Sequence, residues 1–167
     1  MENDNEKIQP KKSLINKKSI VILIVVSLIA VFLMLNYVGT ELDKKSHVYV
    51  DETVPAIITS WDSQELINRA SPELIEVAPK EKVESLFKQY SDKLGQLKEY
   101  KSSEGEVGMH LDIICQQGML CQRTTANYVA KAVFEKGLAT IEIGMILKNN
   151  KWEIYYFSIM SDAFFQS

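Results

Sequence analysis

Hydrophobic residues in this chain are concentrated in one long run near the N-terminus and are spaced periodically after it. From Ser19 to Val38, twenty residues pass without a charge. At about 1.5 Å per residue, a helix of this length spans roughly 30 Å, the thickness of a bilayer's hydrocarbon core. A helix buried in a small domain keeps a polar stripe, but this run offers only Ser27 and Asn36. It therefore predicts a transmembrane helix at 19–38, with a lipid bilayer as its partner.

Beyond this run, the apolar spacing becomes that of amphipathic helices. One helix is predicted by the i, i+4, i+7, i+8 and i+11 positions of Val50, Val54, Ile57, Ile58 and Trp61. Pro55 then falls either in its first turn or at a kink. A capping box at Asp62–Glu65 predicts the next helix, in which Asp62 accepts from the third amide and Glu65 reaches back.

Two further helices are predicted by serine, proline and glycine signals. Ser71 is a capping residue with Pro72 at the first helical position. Pro79 is expected to open the longest helix of this region, and Gly95 to end it. The apolar stripe of this helix consists of Val83, Leu86, Phe87, Tyr90 and Leu94.

The second half of the chain has the alternation of β-strands. Two segments alternate apolar with polar or small residues, at 107–115 and 139–147, and two more, at 126–134 and 151–159, are rich in β-branched and aromatic residues. The connections "EKG" and "KNN" are typical of hairpin turns. Helices followed by four sequential strands indicate the α+β class, with short helices packed on a curved antiparallel sheet.

Lysines are unevenly distributed around the predicted membrane helix. Five precede it, whereas acidic and basic residues are mixed in the stretch after Gly39. This bias places the N-terminus in the cytoplasm and the rest of the chain outside. A cleaved signal peptide would export the same domain, but its apolar region is about 7–15 residues long, and the exit "NYVGTELD" is a poor cleavage site. An uncleaved signal anchor is the preferred interpretation.

These boundaries predict a single-pass protein of the cytoplasmic (inner) membrane. Its parts are a disordered cytoplasmic stub at 1–18, the anchor at 19–38, a linker at 39–46 and a periplasmic or extracellular domain at 47–167. Residues 39–167 hold 14 of the 19 basic and 19 of the 22 acidic residues, a formal charge of −5. An acidic domain outside the cytoplasm argues against a nucleic-acid partner.

The only two cysteines, Cys115 and Cys121, lie in the exported part of the chain. An oxidising compartment makes a disulfide the expected state. Zinc needs about four ligands, and the chain adds only His47 and His110 at no familiar metal spacing. Gly118 lies between the cysteines and favours a turn. We therefore expect a Cys115–Cys121 disulfide across a hairpin, with two free buried thiols as the alternative.

The arrangement of helices before a bent antiparallel sheet, whose last strand reads "NNKWEIYYFSI", resembles the NTF2-like or cystatin-like superfamily. The stretches "TSWDSQELINRASPEL" and "LFKQYSDKLGQLKEYKSSEGE" further resemble a group of bacterial proteins with an N-terminal membrane anchor. The resemblance covers roughly Val48 to Phe165 and implies a fold more than a function. It also implies a cone between helices and sheet, which in some NTF2-like proteins is the site of an isomerase or dehydratase.

Three polar residues are candidates for chemistry in such a cone. His110 and Asp112 share a strand face, so that the carboxylate could orient the imidazole as a general base. That face is opposite the apolar run of Val107, Met109 and Leu111, so a solvated edge of the sheet is the competing interpretation. Glu142 either lines the cone or faces water. The sequence contains no nucleophile elbow, phosphate loop, calcium loop or zinc motif, and we expect no metal or cofactor.

Two functions remain open at this point. The first is a membrane-anchored binding or scaffolding module, whose partner is a second copy or an envelope protein. Phe164 and Phe165, after the last strand, would contribute to its interaction surface if they are exposed, or pack back onto the fold if they are not. The second is a small-molecule site in the cone. A cone filled by Trp61, Phe87 and Tyr128 would favour the first function, and an open one the second.

Overall fold

The chain begins with helices and ends with a sheet. The computed structural model describes residues 17–112 and 121–165, with side chains for 19–110 and 123–165. The elements in chain order are α1 (Lys17–Ser60), α2 (Ser63–Ile67), α3 (Pro72–Val77), α4 (Lys80–Leu94), β1 (Leu97–Asp112), β2 (Cys121–Phe134), β3 (Gly137–Lys148), β4 (Lys151–Met160) and a 3-10 helix (Asp162–Phe164). The class is α+β, as the sequence predicts.

The first part of α1 contains the apolar run, and its side chains are exposed all around the helix. Leu23 and Met34, for example, are 70% and 68% exposed. Within the described residues, this is the one helix long and apolar enough to cross a membrane, and none of its apolar window is buried in the protein. A core helix would instead be largely buried, so a single-pass membrane anchor fits this segment.

The chain divides into two compact units between Val38 and Gly39. The second unit includes the remainder of α1, which differs from the expectation of a linker at 39–46. This stretch is helical throughout, and Ser46 is fully buried. Ser46 and Tyr128 share a hydrogen bond of 2.8 Å, which attaches this stretch to the sheet.

The second half of α1 supplies the central helix of the second unit. Val50, Val54, Ile57 and Ile58 are completely buried, which confirms the predicted apolar face. Pro55 lies inside the helix, not in the first turn of a separate one. Burial of each of these side chains contributes roughly 1.5–3 kcal/mol, enough to keep the helix continuous despite the hydrogen bond that Pro55 removes.

The helix starts follow the sequence signals with one exception. Asp62 caps α2 and accepts a hydrogen bond from the amide of Gln64 at 2.9 Å. The capping box predicts the amide of the next residue, Glu65, as the donor. Glu65 does not complete the capping box but pairs with Arg69 at 2.6 Å. Arg69 is one helical turn away, and a charge-assisted hydrogen bond to it is stronger than one to a neutral amide.

The signals for α3 and α4 are confirmed. Ser71 accepts from the amide of Leu74 at the start of α3, and Pro72 is the first helical residue. Pro79 precedes α4, and Gly95 ends it with φ of 74°, a conformation that favours glycine. The buried residues of α4 are Val83, Phe87 and Leu94, all on the predicted stripe.

The four strands form one antiparallel sheet in the order β1-β2-β3-β4. Glu135–Lys136 and Asn149–Asn150 make the predicted tight turns, the latter with φ of 49° and 63°. Such positive φ values are those of a type I′ hairpin. One face of the sheet packs against the helices through alternate strand residues, among them Ala126, Tyr128, Ala130, Ile141, Ile143 and Met145.

Strand β1 is longer than its apolar alternation indicates, beginning at Leu97 and not near Val107. Its first half reads "LKEYKSSEGE" and lacks the period of a half-buried strand, and two register shifts interrupt the pairing of this half with β2. The register is irregular between Tyr100 and Ser103. A bulge of this kind increases the local twist of a strand.

A close approach of two strands at Gly105 provides a test of this register. A Cβ at Gly105 would collide with backbone atoms of Asn127 and Tyr128 in β2. We expect Gly105→Ala to lower the free energy of unfolding by roughly 1–3 kcal/mol, the usual cost of overpacking. Thermal or denaturant melts of the full chain in detergent would measure this loss. Gly39→Ala is the matched control, since a Cβ there meets nothing within 4 Å; equal effects would contradict the register.

Candidate functional site

Two of the three residues predicted for chemistry in a cone, His110 and Glu142, lie apart in the sheet. His110 pairs with Arg123, and its imidazole lies over Gly108 at an exposed position of β1. Asp112 is the last residue of β1 and pairs with Cys121, and its side chain lies outside the described residues. Glu142 is on β3, opposite Val129 of β2. The partners of His110 and Glu142 on β2, Arg123 and Val129, are six positions apart, about 20 Å along the strand, so these two groups do not form one site.

Glu142 lies on the face of the sheet that is turned away from the helices. Its neighbours Ile141 and Ile143 point into the core, and strand alternation places Glu142 on the opposite face. The hydroxyl of Tyr156 donates to its carboxylate at 3.5 Å. Of the two placements that the sequence leaves open, the structure therefore has Glu142 outside the interior.

Aromatic side chains occupy the space between helices and sheet. Phe87 and Tyr128 are buried, and the ring of Trp61 stacks on Phe134 at 5.6 Å and meets Phe87 edge-on at 5.8 Å. Trp61 itself follows α1 with φ of 52°, an uncommon conformation for a bulky residue. The three residues named as plugs of a cone therefore all pack within this interior.

Surface grooves provide the concave regions seen among the described residues. One, of about 340 Å³, lies between the start of α2 and one side of α4, and Trp61 contributes to its wall. Another, of about 350 Å³, lies between α1 and the β3–β4 turn, beside Tyr49 and Trp152. Nε1 of Trp61 is buried without a hydrogen-bond partner. Both grooves are open to solvent.

A polar cluster joins α1 to the edge strand β1. Oδ1 of Asp51 accepts hydrogen bonds from the Tyr100 hydroxyl at 2.9 Å, from the Ser103 hydroxyl at 2.9 Å and from the Ser103 amide at 3.2 Å. Nε2 of His47 donates to the Ser103 carbonyl at 2.9 Å and lies 3.4 Å from Oδ2 of Asp51. Two turns earlier on the helix, Asp43 accepts from the amide of Val107 at 2.9 Å.

These hydrogen bonds determine the ionisation of the cluster. Burial opposes the charge on Asp51, but hydrogen bonds from Ser103 and Tyr100 and the nearby His47 outweigh it, and they lower the pKa of the Asp51 carboxyl. Burial and the Asp51 carboxylate together raise the pKa of the Tyr100 hydroxyl. The Asp51 carboxylate therefore stays ionised and accepts the hydrogen bond, and the Tyr100 hydroxyl stays protonated and donates it.

The cluster resembles a nucleophile–base arrangement in composition but not in geometry. The hydroxyl of Ser103 donates to Asp51, while His47 is directed at the backbone carbonyl of Ser103. An imidazole that does not accept the hydroxyl proton cannot activate the oxygen as a nucleophile. The arrangement is that of a structural joint between helix and strand.

The outer face of the sheet has an aromatic surface that the sequence analysis missed. Tyr155 lies across Gly144, since a Cβ at that glycine would fall 2.7 Å from its ring. Its hydroxyl donates to Asn127 at 2.8 Å. Tyr155 and Tyr156 are 36% and 46% exposed. The signal in the sequence that could have indicated this surface is Gly144 within the apolar strand β3, followed by the consecutive tyrosines Tyr155 and Tyr156 in β4.

The C-terminal aromatics are separated by the 3-10 helix. Phe164 packs back onto α4, its ring stacked on Tyr90 at 5.2 Å. Phe165 is 86% exposed. The Ser161 hydroxyl donates to the carbonyl of Leu138 at 2.6 Å, and Leu138 is itself exposed. Only Phe165 of the predicted pair is therefore placed where a partner could contact it directly.

The disulfide prediction falls outside the described residues. Cys115 belongs to the undescribed 113–120 segment, and of Cys121 only the backbone is described, paired with Asp112 at the end of the β1–β2 hairpin. In the described ranges 17–112 and 121–165, no group of three or more His, Cys, Asp or Glu residues could hold a metal ion.

Comparison with known protein families, curated proteins and solved structures found no match for this chain. A function is therefore inferred from the surfaces of the molecule itself.

The Asp51 joint makes a testable contribution to stability. We expect Asp51→Asn to lower the free energy of unfolding at neutral pH by about 1 kcal/mol, because charge-assisted hydrogen bonds are lost at a site that is one-third exposed. The folded-state pKa of Asp51 is lowered, so its stabilising effect is present above the ordinary carboxyl pKa of about 3.9 and is lost as the pH falls through the folded value.

Denaturant unfolding of both proteins between pH 3 and 7 would measure this effect. The gap between wild type and Asp51→Asn should narrow below about pH 4. Glu52→Gln, the exposed neighbour on α1, is the matched control and should leave the profile unchanged. A gap that is independent of pH would rule out an ionised Asp51 as the source of stability.

Proposed function

We propose that the protein is a membrane-anchored extracytoplasmic binding or scaffolding module. Its domain would be of the NTF2-like (cystatin-like) type, an assignment supported by four helical segments preceding a four-stranded antiparallel sheet and covering one of its faces. The N-terminal helix would be its single anchor in the cytoplasmic membrane. Its partner would be another envelope protein or a second copy of the chain.

The filled interior is the observation that carries this proposal. A small-molecule enzyme of this architecture would need a cavity between helices and sheet with a polar group inside it. Trp61, Phe87 and Tyr128 pack in that space, and the candidate acid–base residues His110 and Glu142 lie elsewhere. Binding at an outer surface is therefore better supported than turnover in a cone.

The surface proposed for binding consists of Asn127, Glu142, Tyr155 and Tyr156 on the open face of the sheet, together with the exposed ring of Phe165 beyond the last strand. It combines exposed aromatic rings with hydrogen-bonding groups that are already oriented, as the Tyr155–Asn127 bond shows. Aromatic residues dominate the energy of protein–protein interfaces because they bury a large area at a low entropic cost. Phe165, after the last strand, is the most exposed of these residues.

The orientation in the membrane can be tested independently of binding. The five lysines before the anchor predict a cytoplasmic N-terminus and an exported C-terminus. We expect a C-terminal alkaline phosphatase fusion to be active, and a C-terminal reporter that works only in the cytoplasm to be silent. The reverse pair of results would show the opposite orientation.

Association through the open face can be tested by crosslinking the full chain in its membrane. We expect Tyr156→Ala and Phe165→Ser each to weaken a specific crosslinked species by about tenfold or more, as interface aromatics do. Phe164→Ser should instead destabilise the fold, since its ring packs on Tyr90, and thermal melts separate the two effects.

His110→Ala is the matched control for this experiment, because His110 is exposed on the same sheet away from the proposed surface. It should leave crosslinking and any cellular phenotype intact. A phenotype abolished by His110→Ala in a folded protein, with Tyr156→Ala and Phe165→Ser silent, would contradict the proposal and favour an enzyme.

A further inference from the structure

Part of each edge of the sheet is covered, but by different means. The β4 edge is covered by main chain: the amide of Ile154 donates to the carbonyl of Arg69, and the amide of Ser71 donates to the carbonyl of Ile154, both at 2.7 Å. These two hydrogen bonds add a short bridge beside the strand. The β1 edge has side chains in this role.

The side chains at the β1 edge come from a single row on α1. Asp43, His47 and Asp51 are spaced i, i+4 and i+8, so they line one side of the helix. They bind the amide of Val107 and the carbonyl and amide of Ser103. In an antiparallel strand, alternate residues direct these groups away from the paired neighbour, so the row occupies groups on the outward side of β1.

We propose that this row is an edge guard, which prevents β1 from pairing with β1 of a second copy. An edge strand with unpaired outward groups is a template for strand addition. A helix able to anchor the chain in a membrane concentrates such edges in two dimensions. By occupying Ser103 and Val107, α1 removes the hydrogen-bonding groups that a second β1 would use.

Charge on the strand reinforces the guard. If two β1 strands paired antiparallel through the outward groups of Ser103 and Val107, Gly105 of one copy would lie opposite Gly105 of the other. In this register Glu104 would lie opposite Glu106 of the second copy. Both glutamates are exposed, and like charges directly opposite each other destabilise a strand pair. The edge is therefore closed by hydrogen bonds from α1 and disfavoured for self-pairing by its own side chains.

The test removes two residues of the guard, Asp43 and His47, while keeping the hydrogen bonds that Asp51 makes to Tyr100 and Ser103. In Asp43→Ala with His47→Ala, the amide of Val107 and the carbonyl of Ser103 become free. We expect the full chain in detergent or nanodiscs to show a gain of at least about tenfold in self-association by light scattering. The Val107 amide should become protected from hydrogen exchange as the concentration rises. Adding Glu104→Lys should tighten the dimer further, since the introduced ammonium group would face Glu106 of the second copy.

Lys44→Ala with Glu52→Ala is the matched control: it removes one charge of each sign from exposed positions of the same helix and should leave the oligomeric state as in wild type. A folded Asp43→Ala/His47→Ala protein with the wild-type mass and a rapidly exchanging Val107 amide at every concentration would overturn the proposal. Association that is insensitive to Glu104→Lys would do the same. If the double variant fails to fold, Asp43→Ala alone frees the Val107 amide and is judged by the same two measurements.

Discussion

The contact between helix α1 and the sheet is the interaction on which the rest of the C-terminal unit depends. Two neighbouring stripes of the helix make it. The apolar stripe of Val50, Val54 and Ile57 is completely buried, and burial on this scale drives the packing of helix on sheet. The polar stripe beside it, which includes Asp51, bonds the edge of β1. The apolar stripe supplies most of the free energy of the contact. The polar stripe fixes the position of α1 along β1.

This contact also determines where a function can reside. Because Trp61 packs against Phe87 and Phe134 at the end of α1, the space under the sheet is occupied by side chains. The opposite face has no such cover among the described residues, and Tyr155 lies flat on it over Gly144. Side chains fill the space between the helices and the sheet, and exposed aromatic and hydrogen-bonding groups lie on the outer face of the sheet.

The two edges of the sheet differ in how easily their cover can be lost. Residues 69–71, between α2 and α3, bridge β4 through the backbone of Ile154. The β1 edge has no neighbouring strand among the described residues, and side chains of α1 bind the amide and carbonyl of Ser103 and the amide of Val107 instead. Because side-chain contacts are easier to remove by substitution than main-chain pairing, β1 is the edge at which the state of association is most sensitive to sequence.

Local signals in the sequence determined the elements of this structure. The uncharged run at 19–38, the caps at Asp62 and Ser71, and the alternation of Ile141 and Ile143 depend on neighbours close along the chain, so they could be read without a fold. The tertiary structure alone decided the start of β1, the fate of Phe164 and the role of Asp51. Each depends on a partner far along the chain: Ser103 for Asp51, Tyr90 for Phe164 and helix α1 for the polar half of β1. Periodicity contains no information about such partners, because they become neighbours only when the helix packs on the sheet.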